Sequence, residues 1–235
     1  MTKLGGVFCL EASWAEDGRD LTDSASVEQQ LRMLESADEC GKVIHRDVAT
    51  RPEFDHYLKE WLRPKYKPYP LAYLAFHGVR GGLMIGDTEL TLLQLADMIG
   101  PDKASGRIVY FGSCSTMAAH EDELEMFCRN TGVRAIVGYA RTVGWRESAA
   151  FDCLLVPRLL EMHNMKSVFN SLKRDYPDFV GLLGLRIATS KWATDRKIAE
   201  EGCPESACLR CQGRRSRHSV GGSAEVVART NQKGP

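Results

Sequence analysis

Two short stretches hold residues whose types can do covalent chemistry together. One is Phe76-His77-Gly78 and the other is Gly112-Ser113-Cys114. A cysteine attacks a carbonyl as its thiolate, and a histidine within reach can take the thiol proton and later deliver it to a leaving amine. Gly78 lets the backbone approach a substrate closely, so the N–H groups of Gly78 and Cys114 are the candidate donors to an oxyanion. Taken singly, each side chain has a plainer reading: a strand-end histidine satisfied by backbone groups, and a buried thiol. The pair is more telling than either member, because each stands at the end of an apolar run with a glycine within two positions.

The elements around these residues decide whether they can meet. Residues 71–76 and Ile108–Phe111 are apolar runs that read as buried strands. Between them, residues 88–99 have apolar side chains at 90, 92, 93, 95, 96 and 99, a helical spacing. Strand, helix and strand in this order predict two parallel neighbours, with His77 and Cys114 at adjacent C-terminal ends. Open α/β sheets bind ligands at that edge. Further strands are expected at 5–10, 43–48, 133–139 and 182–188. Helices are expected from 27, closed by Gly41, from Thr50, and over 117–130, 147–163 and 167–176. Residues 79–87, with Gly81, Gly82 and Gly86, read as a small hairpin over the site. A helix from Met117 would aim its N-terminal dipole at Cys114 and favour the thiolate. The expected fold is α/β, a three-layer α/β/α sandwich around a mainly parallel sheet of about six strands.

An apolar strand ending in His-Gly, followed after a helix by an apolar strand ending in Ser-Cys, resembles the caspase-like cysteine peptidases. That group includes caspases, gingipains, separases and bacterial CHAT proteins. The caspase signature Gln-Ala-Cys-x-Gly is absent, since this chain reads Gly112-Ser113-Cys114-Ser115-Thr116. The spacing from 77 to 114 is also shorter than the roughly 50 residues of caspases. Both departures point to the CHAT or gingipain side. The resemblance covers residues 1–195 in element order. It implies a caspase-like fold and a cysteine endopeptidase with Cys114 as nucleophile and His77 as base. It implies no metal and no cofactor, and a protein or peptide as substrate. Bacterial relatives serve as regulated effector proteases in antiviral defence or cell death, which implies a separate sensor or activator protein, or a homo-oligomer. In such relatives the segment after the fifth strand borders the primary pocket, here Arg141 to Glu147 with Trp145 between them. An acidic wall would favour lysine or arginine at the cleavage position, and an arginine would favour aspartate or glutamate. Both signs are present, and the resemblance prefers Glu147 and a basic side chain.

Bulk composition narrows the class. The chain has 235 residues with 31 Lys+Arg against 31 Asp+Glu, enough for one sizeable core and neutral overall. Neutrality gives no reason to expect a nucleic-acid or membrane partner. No stretch approaches the length of an apolar transmembrane span. The N-terminus has no leader layout, because Glu11 interrupts its apolar run. Eight cysteines in that context imply reduced thiols in a cytoplasmic setting. Cys9, Cys40, Cys128 and Cys153 read as small core residues, and His45 reads as structural. Composition changes after Trp192, so 196–235 is expected to be a flexible tail. Cys203, Cys208, Cys211 and His218 in that tail offer a zinc alternative, without the paired spacing of zinc modules. Two rivals to the peptidase remain open. One is a catalytically silent caspase-like interaction module, and the other is a flavodoxin-like domain that binds a small ligand.

Overall fold

The computed structural model describes residues 4–15, 22 and 24–195. The tail, with Cys203, Cys208, Cys211 and His218, lies outside the described residues.

A seven-stranded sheet forms the middle layer. Its strands are β1 (Val7–Glu11), β2 (Val43–Asp47), β3 (Leu71–Ala75), β7 (Ile108–Phe111), β8 (Ala135–Tyr139), β9 (Leu185–Thr189) and β10 (Trp192–Ala193). Their order is β10-β9-β8-β7-β3-β1-β2. The five strands from β2 to β8 are parallel, and β9 and β10 are antiparallel additions at one edge. β1, β3, β7 and β8 are buried at every position. A parallel sheet covered on both faces requires this, which is why these strands read as unbroken apolar runs.

Alternate side chains feed two cores. On one face Phe8, Leu10, Leu74 and Phe111 pack against α2 (Arg51–Leu62), α3 (Leu92–Ile99) and α4 (Glu121–Thr131). On the other, Tyr73, Tyr110, Val137 and Tyr139 face α1 (Glu28–Ser36), α5 (Trp145–Glu161), α6 (Met165–Asp175) and α7 (Pro177–Leu183). The result is a three-layer α/β/α sandwich. Seven strands replace the expected six or so, because Trp192–Ala193 adds a short edge strand. The last long strand begins at Leu185 rather than 182, after a helix over Pro177–Leu183 that the apolar pattern did not announce.

Three local departures bear on the site. First, 88–99 is not one helix. Thr88–Thr91 is β6, and the helix starts at Leu92. Thr91 caps that helix, its hydroxyl accepting from Gln94 N–H while Gln94 Oε1 accepts from Thr91 N–H at 3.0 Å. Second, His77 is not on the third main strand. It begins β4 (His77–Val79), which leaves the sheet and pairs with β5 (Gly82–Ile85), which in turn pairs with β6. The expected hairpin is thus a small three-stranded sheet that carries the histidine. Third, residues 117–130 do not form one helix. A 3₁₀ turn at Thr116–Ala118 precedes α4, which opens only at Glu121. The carbonyls of Met117 and Ala119 accept instead from the fully buried guanidinium of Arg186, each at 2.7 Å. The first helix ends at Ser36, ahead of Gly41.

Candidate functional site

The parallel strands place their C-terminal ends along one edge, and the order reverses at β1, between β2 and β3. Beside that switch point lies a cavity of about 40 Å³. Trp14 follows β1, Gly112 and Cys114 follow β7, and Val143 follows β8. His77 reaches the cavity from β4. The remaining walls are Val27 and Gln30 at the start of α1, Tyr73 on β3, and one side of α5. His77 and Cys114, the two residues singled out by type, line the same cavity.

The loop that presents Cys114 is tightly held. Ser113, buried, donates from Oγ to Leu74 O at 3.3 Å and accepts from Phe76 N–H at 3.4 Å, tying the end of β7 to the end of β3. Cys114 Sγ accepts from Val143 N–H at 3.4 Å, and the thiol faces Val143 O at 3.8 Å. Ser115 is left-handed at φ 58° and donates its N–H to Arg141 O at 3.0 Å. That rarely populated conformation turns the chain sharply after Cys114. Gly78 closes on this loop: a Cβ there would lie 1.9 Å from Cys114 O. Gly112 similarly makes room for the Tyr73 ring, whose Cε1 would be 2.6 Å from an added Cβ. No helix starts at Cys114, so the expected dipole stabilisation of its thiolate is not present. The 3₁₀ turn intervenes, and the first α-helical turn comes at Glu121.

His77 is braced by an aromatic contact. The Trp14 ring meets it edge-on, with centroids 5.6 Å apart and planes at 76°. The Trp14 indole N–H donates to Glu11 Oε1 at 2.5 Å. Glu11 is buried and also accepts from Ser26 Oγ at 2.6 Å and Val27 N–H at 2.9 Å, and pairs with His45 Nε2 at 2.8 Å. One carboxylate therefore fixes Trp14, the start of α1 and β2. Burial works against charge on His45, but the Glu11 hydrogen bond, with the charges of Glu11, Glu28 and Asp47, outweighs it and raises the imidazole pKa.

The cavity lining also includes a carboxylate. Asp152 is 2% exposed. The hydroxyls of Tyr73 and Tyr110 donate to it through short hydrogen bonds, Tyr139 donates at 2.6 Å, and Gln30 Nε2 lies at 3.4 Å. Burial pushes the Asp152 carboxyl up to about 6, against these hydrogen bonds, which pull it down. The three phenols are raised well above their ordinary range by burial and by the Asp152 charge, so they remain protonated donors.

Residues 5–188 match the model of a family described as a family of unknown function, DUF6642. The chain belongs to the DUF6642 family. The matched span runs from β1 into β9 and includes every residue that lines the cavity. No curated protein matches the chain.

Within this DUF6642 chain the pocket residues expected from sequence divide. Trp145 lines the cavity, whereas Arg141 and Glu147 do not. Arg141 Nη1 donates to Gly181 O at 2.5 Å, at the far side of its loop. The Glu147 carboxylate folds back over Gly144, with Oε2 2.1 Å from where a Cβ would stand. The acid facing the cavity is Asp152, at a position the sequence pattern placed within a core helix. Other residues that sequence reasoning missed are Gln30, Tyr73, Trp14 and its anchor Glu11. Elsewhere, burial raises the thiol pKa of Cys9, Cys40, Cys128 and Cys153, to about 11 for Cys40 and about 12 for Cys128. These fit structural roles. Glu11, His45 and Asp47 bring ligand-type atoms within 4.8 Å of one another. Glu11 already serves four hydrogen-bonding partners there, so the group acts as a buried anchor for Trp14 and α1.

Proposed function

We propose that this chain is a caspase-like cysteine endopeptidase in which Cys114 is the nucleophile and His77 the general base. One observation carries the reading: a histidine and a cysteine from separate strands line one cavity at the C-terminal edge of a parallel sheet. The resemblance in the His-Gly and Ser-Cys strand ends supports it independently. In the proposed reaction His77 takes the Cys114 proton, and Sγ bonds to the substrate carbonyl carbon. The oxyanion is received by backbone N–H groups around Gly78 and Cys114. Collapse of the tetrahedral species breaks the C–N bond as His77 protonates the leaving amine. Water then releases the acyl group and restores the thiol.

The same reading carries a protein or peptide substrate, a cytoplasmic setting, and control by a sensor protein or by self-association. Among the described residues no helix is long and apolar enough to cross a membrane. The order of the five parallel strands also fits a flavodoxin-like domain with a ligand at the switch point. That reading predicts a nucleotide or flavin carried through purification and no special reactivity at Cys114.

Labelling of the native protein with peptidyl acyloxymethyl ketones, located by mass spectrometry, separates these readings. The peptidase reading expects an adduct on Cys114 that is lost in His77→Ala. Labelling spread over several cysteines and unchanged in His77→Ala would refute it.

A further inference from the structure

His77 and Cys114 stand on different pieces of structure, and one buried threonine holds the two pieces together. His77 opens β4 of the small sheet, and Cys114 lies in the loop after β7. Thr116, two residues beyond Cys114, is fully buried at the first position of the 3₁₀ turn. Its hydroxyl donates to the carbonyl of Gly82, the first residue of β5, at 2.9 Å. A hydroxyl has one proton to give, and Cys114 O lies farther from it, at 3.5 Å. Gly81 N–H donates to Thr116 O at 3.2 Å. Two adjacent hairpin residues are therefore clasped by the hydroxyl and the carbonyl of one side chain and its backbone. The clasp sits against the strand that bears the histidine. Val79 of β4 is paired with Gly82, and a Cβ at Gly78 would stand 2.7 Å from Thr116 Oγ1. The turn is itself fixed from beyond the hairpin. Arg186 donates to Met117 O and Ala119 O, and Ser115 N–H donates to Arg141 O. Leu83, Ile85 and Leu90 seat the hairpin in the core, but apolar contact has no direction. Hydrogen bonds decide where the strand comes to rest.

We propose that Thr116 is a positioning residue for the pair: its hydroxyl, through Gly82, sets where the His77 strand stands relative to Cys114. This rests on the peptidase reading above. Trp14 meets the imidazole ring itself, whereas Thr116 acts on the strand that carries it. Without the hydroxyl the buried Gly82 carbonyl loses this donor, and the hairpin shifts toward another. Proton transfer between His77 and the thiol requires hydrogen-bond reach, so a small shift of the strand is felt at the sulfur.

The test needs no substrate. Full-length protein is alkylated with iodoacetamide from pH 5 to 9, and the rate at Cys114 is read by mass spectrometry. A free thiol reacts as its thiolate and slows below its pKa of about 8.5. Beside His77 the thiolate persists at lower pH, so wild type is expected to react at pH 6 in a manner that His77→Ala abolishes. Thr116→Val keeps the shape and removes the donor. It is expected to slow the pH 6 reaction about 100-fold, as for a displacement of about 1 Å. At pH 9 the thiol ionises unaided, and the rate is expected to stay within about twofold of wild type. Thr116→Ser, which keeps the hydroxyl, is expected to retain the wild-type profile. Should Thr116→Val fail to fold, Thr116→Ala removes the donor without setting a methyl group against Gly82 O, and the same profile is expected of it. A threonine with a merely structural role would lower the urea midpoint and leave the pH profile unmoved. That result overturns the proposal, as does a serine variant that behaves like the valine one. The His77→Ala control separates the two readings. A wild-type profile indifferent to His77→Ala refutes the peptidase reading and this inference with it. A profile that depends on His77 but not on the Thr116 hydroxyl overturns the inference alone.

Discussion

Replacing Asp152 by asparagine removes a pH-dependent penalty that the folded protein otherwise carries. Burial raises the Asp152 pKa from 3.8 to about 6. Between those two values the folded protein holds a proton that the unfolded chain has already released. Unfolding then releases a proton, so stability falls as pH rises, by up to about 1.4 kcal/mol per pH unit. Above pH 6 the group is ionised in both states and the loss is complete, at about 3 kcal/mol. Below 3.8 it vanishes. The assay is urea unfolding followed by tryptophan fluorescence from pH 4 to 8, in wild type and Asp152→Asn. Other titrating groups are common to both proteins, so the stability difference isolates this carboxylate. Relative to the variant, wild type is expected to lose about 2.4 kcal/mol between pH 4 and 7 and then level off. A difference that stays flat across this window would refute the reasoning, since it would mean that the three tyrosines hold the carboxylate near its ordinary pKa.

Other substitutions probe the frame around the cavity. Gly78→Ala drives a Cβ into the Cys114 carbonyl and displaces either the loop or the hairpin. A shift of about 1 Å is expected to slow Cys114 labelling about 100-fold with little change in the circular dichroism spectrum. Arg186→Ala strips four carbonyl and carboxylate acceptors of a buried cation and is expected to cost about 3–5 kcal/mol in urea unfolding. His45→Gln is expected to destabilise more at pH 6 than at pH 9. Its raised pKa means the stabilising imidazolium is fully present below the unfolded value of 6.5 and is lost as pH climbs through the folded one. Urea midpoints at the two pH values check this.

Much of the scaffold can be read in the chain because its cause is local. LAYLA and IVYF are continuous apolar runs, and a parallel strand buried on both faces demands that pattern. Thr91-x-x-Gln94 is itself a capping signature, and it marks the true helix start inside a stretch whose leucines also fit a longer helix. The break between Met117 and Glu121 has no such local cause. It comes from Arg186, a residue 69 positions away from Met117. Asp152 was obscured because its neighbours Ala149, Leu155 and Val156 make an apolar stripe, in which a carboxylate was the discordant residue. Its partners Tyr73 and Tyr110 each interrupt an apolar strand with a hydroxyl, and they reach it across 79 and 42 residues. Sequence pattern alone does not join groups separated that far. The two residues of reactive type are legible because each follows within three residues of a buried parallel strand, although His77 itself begins β4.

The small sheet that carries His77 is also tied to the loop that carries Cys114. Thr116 Oγ1 donates to Gly82 O at 2.9 Å, Gly81 N–H donates to Thr116 O at 3.2 Å, and Gly78 rests on the Cys114 carbonyl. The histidine is thereby gauged against the cysteine's own segment as well as against Trp14, which follows β1. A rocking of the hairpin has to pull residues 114–116 along with it. The spacing of the pair is thus set by direct coupling between their two segments and not through the large sheet alone.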